Sequence, residues 1–446
     1  MTHSRAKNSA AQPQARDEWM PLDNAAHIYP AARSRNWTAL FRVSMELTEP
    51  IEPAALERAL SRTLRRFPAY GMRLRYGLFW HYFERIAQPP AIQKDVQNPC
   101  VRMDLRENNG YMFRVRCHEN RIAVEIFHAL SDGTGGMCFL KTLVAEYLRL
   151  KYGALIPFTD EILNCDEEAR PEELEDSFLR YARSVPMSRG ESRAYPLRGT
   201  HEREHVTHVI TGLLSADAVK ERAKEFGATV SELLTALLIL AIRRVQQKEH
   251  SRKRRVMPVK ICVPVNMRKF YGSRTMRNFA SYVNPGIEPV YGEYTLEETI
   301  SAVRHYMGLM ATEKQLNAKF TTNVLSVRNN FLRATPLFLK NPTLRLMFRL
   351  TGDRQTSGLF SNLGNSPLPP AMQTYVKRTD FLVGPLRYNP VTCACVSNNG
   401  LMCINFCRVI REAEVERNFF TSLVRLGLHV RVESNRAQNN ITMILR

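Results

Sequence analysis

Hydrophobic and polar positions along the chain follow two periods. Phe113-Arg-Val-Arg-Cys117 and Ile122-Ala-Val-Glu-Ile126 alternate in twos around His118-Glu-Asn-Arg121, which predicts a hairpin of two half-buried strands. Just after it, Thr134-Gly135-Gly136 opens an apolar run through Phe139, Leu143, Tyr147 and Leu148 that reads as a helix. Residues 52–67 also read as a helix, with an early proline at 53 and a stripe of Leu56, Leu60, Leu64 and Phe67. In the second half, Val206 to Leu214 reads as a strand, followed by a helix that starts near Ser215 and stops at Gly227. Thr229-Val-Ser-Glu232 then forms a capping box ahead of the apolar run 233–242. Val256 to Val265 and Phe279 to Pro285 read as further strands, the second ending near Asn284. Asn399-Gly400 signals a two-residue hairpin that pairs Asn398 with Leu401, Val396 with Cys403 and Cys395 with Ile404.

Helices and alternating strands in both halves predict an α+β protein of two comparable lobes. A length of 446 residues suits two cores of ordinary size. Residues 160–176 hold nine acids against one arginine, and a polar stretch with Pro and Gly continues to about 205, so the lobe connection falls there. The expected division is a disordered tail over 1–17, a first lobe over 18–200 and a second over 201–446. The tail lacks the apolar core of a secretory signal, and the run 233–242 is about half of what a bilayer crossing needs. These features favour a cytoplasmic protein.

Composition narrows the chemistry. Hydrophobic residues at 44% and charged residues at 24% describe a globular chain. A net charge of +20 attracts polyanions, whether nucleic acid, anionic membrane, acyl carrier protein or coenzyme A phosphates. The basic residues are spread along the chain without a nucleic-acid-binding motif beside them, so no nucleic-acid partner is expected, while peripheral membrane contact stays open. Arg252-Lys253-Arg254-Arg255 either grips a phosphate or solvates a loop. Nine cysteines, an odd number, read as free thiols. Cys393, Cys395, Cys403 and Cys407 crowd into fifteen residues, but the hairpin register sends the first two and the last two to opposite faces, beyond the reach of one metal. No metal site is expected.

Candidate chemistry centres on His128-Ala-Leu-Ser-Asp132-Gly133, which follows the strand directly. A neutral imidazole at a strand end is suited to proton transfer. The plain alternative is that His128 caps the strand, Asp132 closes a turn, and Gly133 supplies either close backbone approach or a permissive φ. A strand leading into His-x-x-x-Asp-Gly resembles the chloramphenicol-acetyltransferase-like superfamily of coenzyme A-dependent acyltransferases, whose motif peptide-synthetase condensation domains share. Cys262-Val-Pro-Val-Asn-Met-Arg268 and Ser361-Asn362-Leu363-Gly364 fall where that resemblance expects them, and together the landmarks look most like an alcohol acetyltransferase.

The resemblance implies two acyltransferase lobes with a channel between them. Within it, His128 serves as general base toward an acceptor hydroxyl that attacks an acyl-CoA thioester, without an acyl-enzyme. It further implies Ser361 and Asn362 as oxyanion partners and Tyr282 and Asn284 on the acceptor side. Asp132 is expected to face away from substrate and to pair with Arg268, bracing the bend. The expected ligands are acetyl-CoA or another acyl-CoA as co-substrate, with no tightly bound cofactor, and a hydroxylated small molecule or lipid. Phe127 stands where condensation domains carry a second histidine, which disfavours that role. A carrier-protein-dependent ester-forming enzyme and an inactive binding protein of the same fold remain alternatives. A monomer is expected.

Overall fold

The computed structural model describes residues 19–32, 38–187, 190–351, 353–386, 389–436 and 443–445. The expected tail, 1–17, lies outside the described residues.

The first lobe is built on a five-stranded sheet whose order is Val376–Val383, Leu40–Leu47, Arg121–Phe127, Phe113–His118 and Gln93–Lys94. The predicted hairpin forms in the expected register, with Val115 opposite Val124 and Cys117 opposite Ile122. One face of the sheet carries Phe41, Val43, Val124 and Ile126 into a core shared with two helices, Pro53–Arg66 and Gly133–Tyr152. The alternation makes the opposite face polar, yet it is not solvated. Glu125 is fully buried there among Arg42, Arg114 and Arg116, and the Cys100 backbone N–H donates to its Oε1 at 2.9 Å.

The second lobe carries a nine-stranded sheet. Its main order is Ala280–Val283, Val259–Asn266, Gly358–Asn365, Val391–Asn398, Leu401–Arg408, His208–Ser215, Val430–Ser434 and Met443–Leu445, with Gly286–Ile287 also paired to Val259–Asn266. The 399–400 hairpin has the predicted register, including Val396 opposite Cys403 and Cys395 opposite Ile404. Cys393 and Cys395 accordingly point into the second core with Ile404 and Phe406, while Cys407 points with Val396 into the first. The capping box at Thr229 and Glu232 starts the helix Val230–Gln246, whose Leu233, Leu234, Leu237 and Leu238 are buried. Ser215 caps the preceding helix, Ala216–Glu225, and Gly227 follows it at a φ of +61°.

Two details bear on the expected division. Ile162 and Leu163 belong to the first core and Phe178 to the second, so the change of core falls in and just after the acidic stretch. The strand Val376–Val383 returns from the second half to pair along Leu40–Leu47 of the first sheet, with Phe381 opposite Val43. A composition-based boundary cannot register this strand, because its pairing partner lies more than three hundred residues away in sequence. A third, three-stranded sheet joins Trp19–Pro21, His81–Arg85 and Met72–Tyr76, which ties the start of the described chain to the first lobe.

Candidate active site

The strand Arg121–Phe127 ends one residue before His128, whose backbone N–H donates to the Ala39 carbonyl at 2.8 Å, so the imidazole starts from a fixed backbone position. Asp132 is the N-cap of the helix Gly133–Tyr152 and accepts from the Gly135 N–H at 3.1 Å, as a carboxylate at a helix start should. Gly133 has no positive φ, and the close-approach reading explains it. A Cβ there would stand 2.8 Å from Leu363 Cδ2 of the second lobe. Gly135 is tighter still: a Cβ would meet the Met276 carbonyl oxygen at 2.3 Å. The motif's glycines are therefore where the lobes touch.

From the second lobe, residues 266–279 fold over the motif. Arg268 Nη1 and Nη2 meet Asp132 Oδ2 and Oδ1 at 2.8 and 3.2 Å, and the Phe279 N–H donates to Oδ2 at 2.8 Å. The same guanidinium donates to the Thr275 and Arg277 carbonyls at 2.9 and 2.6 Å. Ser131 Oγ reaches the Met276 carbonyl at 2.6 Å, and Asn266 Nδ2 reaches Thr134 Oγ1 at 3.2 Å. Burial alone would raise the Asp132 pKa, but Arg268 and the two backbone N–H groups outweigh it and hold the carboxyl below the usual carboxylate range. Asp132 is fully occupied and stays charged.

The second lobe also fixes the imidazole. His128 Nδ1 lies 3.0 Å from Asn278 Oδ1, and the buried Asn278 directs its Nδ2 to Asp23 Oδ2 at 3.1 Å. Asp23 is itself pinned: Oδ1 accepts from the Ala26 N–H at 2.7 Å, and Arg277 Nε lies 3.7 Å from Oδ2. With its amide nitrogen turned to the carboxylate, Asn278 presents only an acceptor to His128. The imidazole therefore carries its proton on Nδ1, which leaves the Nε2 lone pair open. Tyr29 stacks on the ring, with centroids 4.7 Å apart and planes 14° apart, and Phe41 meets it edge-on at 5.2 Å. Burial lowers the His128 pKa from its ordinary 6.5, with Asp132 and the Asn278 hydrogen bond opposing. A neutral base oriented through Nδ1 is the chemical capability of this arrangement.

The remaining expected residues divide. Gly358–Asn365 is a central strand of the large sheet, and its pleat turns Ser361 and Leu363 to one side, the side on which Leu363 touches Gly133. Asn362 turns to the other, donating from Nδ2 to Ser231 Oγ at 2.9 Å and accepting from the Gly364 N–H at 2.7 Å. Its amide is engaged at the irregularity in that strand. The Tyr282 ring lies at the surface under Lys319 Nζ at 3.7 Å. Asn284 is buried and donates to Glu191 Oε2 at 2.7 Å, away from the imidazole's neighbours. Tyr282 sits on the edge strand Ala280–Val283, beside the helix Glu313–Arg328, and Asn284 follows that strand, a packing that sequence alone does not show. Asp23, Tyr29 and Asn278 were missed. No local motif marks them, and Asp23 and Asn278 are 255 residues apart.

A cavity of about 830 Å³ opens between the lobes, walled on one side by Thr134, Met137 and Cys138 of the motif helix and on the other by Asn266, Arg268 and Met276. It lies beside the motif and is within the usual range for a small-molecule site. His128 is not part of its wall. Arg254 of the basic cluster is held by Glu249 and lies over the Tyr195 ring at 5.4 Å.

The clamp has a measurable consequence. Replacing Arg268 with Met leaves the Asp132 charge buried without its partner, and the expected loss is about 3–5 kcal/mol of unfolding free energy in urea titration. Adding Asp132→Asn to the same chain should return part of that loss; an unaltered stability in the single variant would show that the pair does not hold the lobes.

No protein-family model matches the chain, and no curated protein sequence matches it. Solved structures do. Polyketide synthase associated protein 5 from Mycobacterium tuberculosis superposes with a TM-score of 0.57 at 13% identity, covering 91% of this chain and 97% of that one. Trichothecene 15-O-acetyltransferase from Fusarium sporotrichioides gives 0.56 at 12% identity over 92% and 94% of the two chains. TRI101 of F. sporotrichioides, solved with coenzyme A and T-2, gives 0.60 at 10% identity over 94% and 100%. The chain therefore has the two-lobed fold of the chloramphenicol-acetyltransferase-like, coenzyme A-dependent acyltransferases.

Proposed function

We propose that the protein transfers an acyl group, in the first instance acetyl, from a coenzyme A thioester to an alcohol, with His128 as general base. The observation that carries this reading is the imidazole itself: held through Nδ1 by Asn278, its pKa lowered by burial, and seated where the two lobes meet. In the proposed step the acceptor O–H gives its proton to His128 Nε2 as its oxygen bonds to the thioester carbonyl carbon. The developing oxyanion takes a hydrogen bond from Ser361. Collapse of the tetrahedral species breaks the C–S bond, and the departing sulfur takes the proton back from the imidazolium, leaving an ester and free thiol. Tyr29 and Phe41 keep the ring in apolar surroundings, which favours the neutral form before the step. Trichothecene acetylation by a protein of the same fold supports a hydroxylated acceptor and an acetyl donor. The net charge of +20 suits the phosphates of coenzyme A, and it equally suits an acyl carrier protein as the donor.

Purified protein supplied with acetyl-CoA and a panel of primary alcohols is expected to release thiol and form ester, and His128→Ala should lower that rate by roughly 10²–10⁴-fold. Silence with acetyl-CoA but turnover with an acyl carrier protein would move the donor to the carrier; silence with both would sink the proposal.

Two further outcomes follow from the imidazole's surroundings. Because burial lowers the His128 pKa, the base is lost only below its ordinary range, so the acid limb of kcat/KM should have its midpoint below 6.5. A midpoint at or above that value would contradict the assignment. Asn278→Leu removes the acceptor that selects the Nδ1–H tautomer; kcat should fall roughly tenfold or more with KM for acetyl-CoA little changed. An equal loss in KM would instead mean that Asn278 shapes the donor site.

A further inference from the structure

The helix Leu337–Thr351 buries a lysine and exposes large apolar side chains. Its inward positions include Lys340, which is only 5% exposed, with Nζ donating to the Phe79 carbonyl at 2.9 Å and lying 3.5 Å from the centre of the Trp80 ring. Its outward positions include Phe338, Leu339 and Leu346, which are 70%, 54% and 56% exposed. A helix covering a water-facing surface carries the opposite pattern.

The neighbouring hairpin turn behaves in the same way. Between Met72–Tyr76 and His81–Arg85, Tyr76 and Leu78 are 65% and 66% exposed. Turn and helix are joined, since the Leu337 N–H donates to the Leu78 carbonyl at 2.8 Å. Two separate elements thus present large apolar side chains on one continuous face.

Charge indicates what covers it. Arg333 and Arg345 are exposed beside the apolar positions, and the segment 314–352 that carries them has no Asp or Glu. On the hairpin, Glu84 is paired with Arg73 and Arg75. Protruding Phe and Leu side chains within a cationic surround match the boundary between anionic headgroups and acyl chains, which accepts such side chains without a shape-complementary partner.

The face is also connected to the imidazole. The short helix Ile28–Ala32 packs against Leu337–Thr351, and its Tyr29 is the residue stacked on His128. His27, just before it, packs on Trp80 at 5.1 Å. The helix Leu337–Thr351 itself and the short helix that carries Tyr29 lie between the apolar face and the proposed base.

We propose that the outer face of Leu337–Thr351 and the 76–79 turn dock the protein on an anionic bilayer, and that the acceptor is a hydroxylated lipid taken from that bilayer past Tyr29. The identity of the delivered substrate rests on the acyl-transfer reading; docking does not, and it is measured without turnover.

The test is co-sedimentation of the full-length protein with vesicles of phosphatidylcholine containing phosphatidylglycerol, compared with phosphatidylcholine alone. The wild-type protein should bind the anionic vesicles, and the charge-preserving triple variant Phe338→Ser, Leu339→Ser, Leu346→Ser should lose at least about tenfold in partitioning, because three apolar side chains no longer insert. Leu155→Ser with Tyr291→Ser, two residues that are 92% and 84% exposed elsewhere, should bind as wild type. His128→Ala should also sediment as wild type, which separates failure of docking from failure of catalysis.

Circular dichroism melts establish that the triple variant folds; should it not, Leu78→Ser on the turn carries the same prediction. Wild-type protein left in the supernatant overturns the proposal, as does a folded triple variant that binds undiminished, which would mean that net charge alone is responsible. A dimer that the triple variant converts to monomer, or an acidic carrier protein that binds this face while vesicles do not, overturns it in favour of a protein partner.

Discussion

The carboxylate of Asp132 is the point on which the site depends. It closes the first turn of a first-lobe helix through the Gly135 N–H, and from the second lobe it receives Arg268 and the Phe279 N–H. A buried carboxylate is costly unless its lone pairs are filled, and here they are filled from both sides of the lobe junction. The pair contributes little as a stabilising contact in its own right, but any slip between the lobes would leave one buried charge unmatched. The lobes are thereby kept in register at the place where the imidazole sits. Gly135 serves the same contact sterically, since a Cβ there would meet the Met276 backbone of the second lobe.

The imidazole is then specified by a chain of donors and acceptors from three distant segments. Asp23 orients Asn278, Asn278 accepts from His128 Nδ1, and Nε2 is left as the base. Each link restricts the next, because a carboxylate accepts only and an amide has one end of each kind. Burial pushes the Asp23 carboxyl up, with Arg277 and the Asn278 and Ala26 hydrogen bonds opposing. The segment that supplies Asp23 also supplies Tyr29. The start of the described chain is therefore part of the site rather than an appendage to it.

The strand that delivers His128 is stiffened from behind. Glu125, three residues earlier, is buried among Arg42, Arg114 and Arg116, and although burial favours its neutral form, those cations and the Cys100 N–H keep its pKa below the usual range. An apolar face on one side of the strand and a satisfied ionic cluster on the other leave it little freedom to shift. Precision at His128 thus draws on contacts well away from the imidazole.

Much of the architecture was determined locally. The hairpin 113–126, the capping box at 229, the register around Asn399-Gly400 and the opposite facing of its cysteines all follow from periodicity and turn chemistry, which act between near neighbours in the chain. The pairing of Asp132 with Arg268 was legible only because ordered motifs resembled a known pattern. Tertiary structure alone decided the rest: the return of Val376–Val383 to the first sheet, the burial of the arginines on a face that alternation made polar, the turning of Asn362 and Tyr282 away from the imidazole, and the recruitment of Asp23, Tyr29 and Asn278. Those outcomes depend on which surfaces meet when the two lobes close. A contact between residues 23 and 278 leaves no periodic trace in either segment, because the constraint exists only once folding has brought the two segments together.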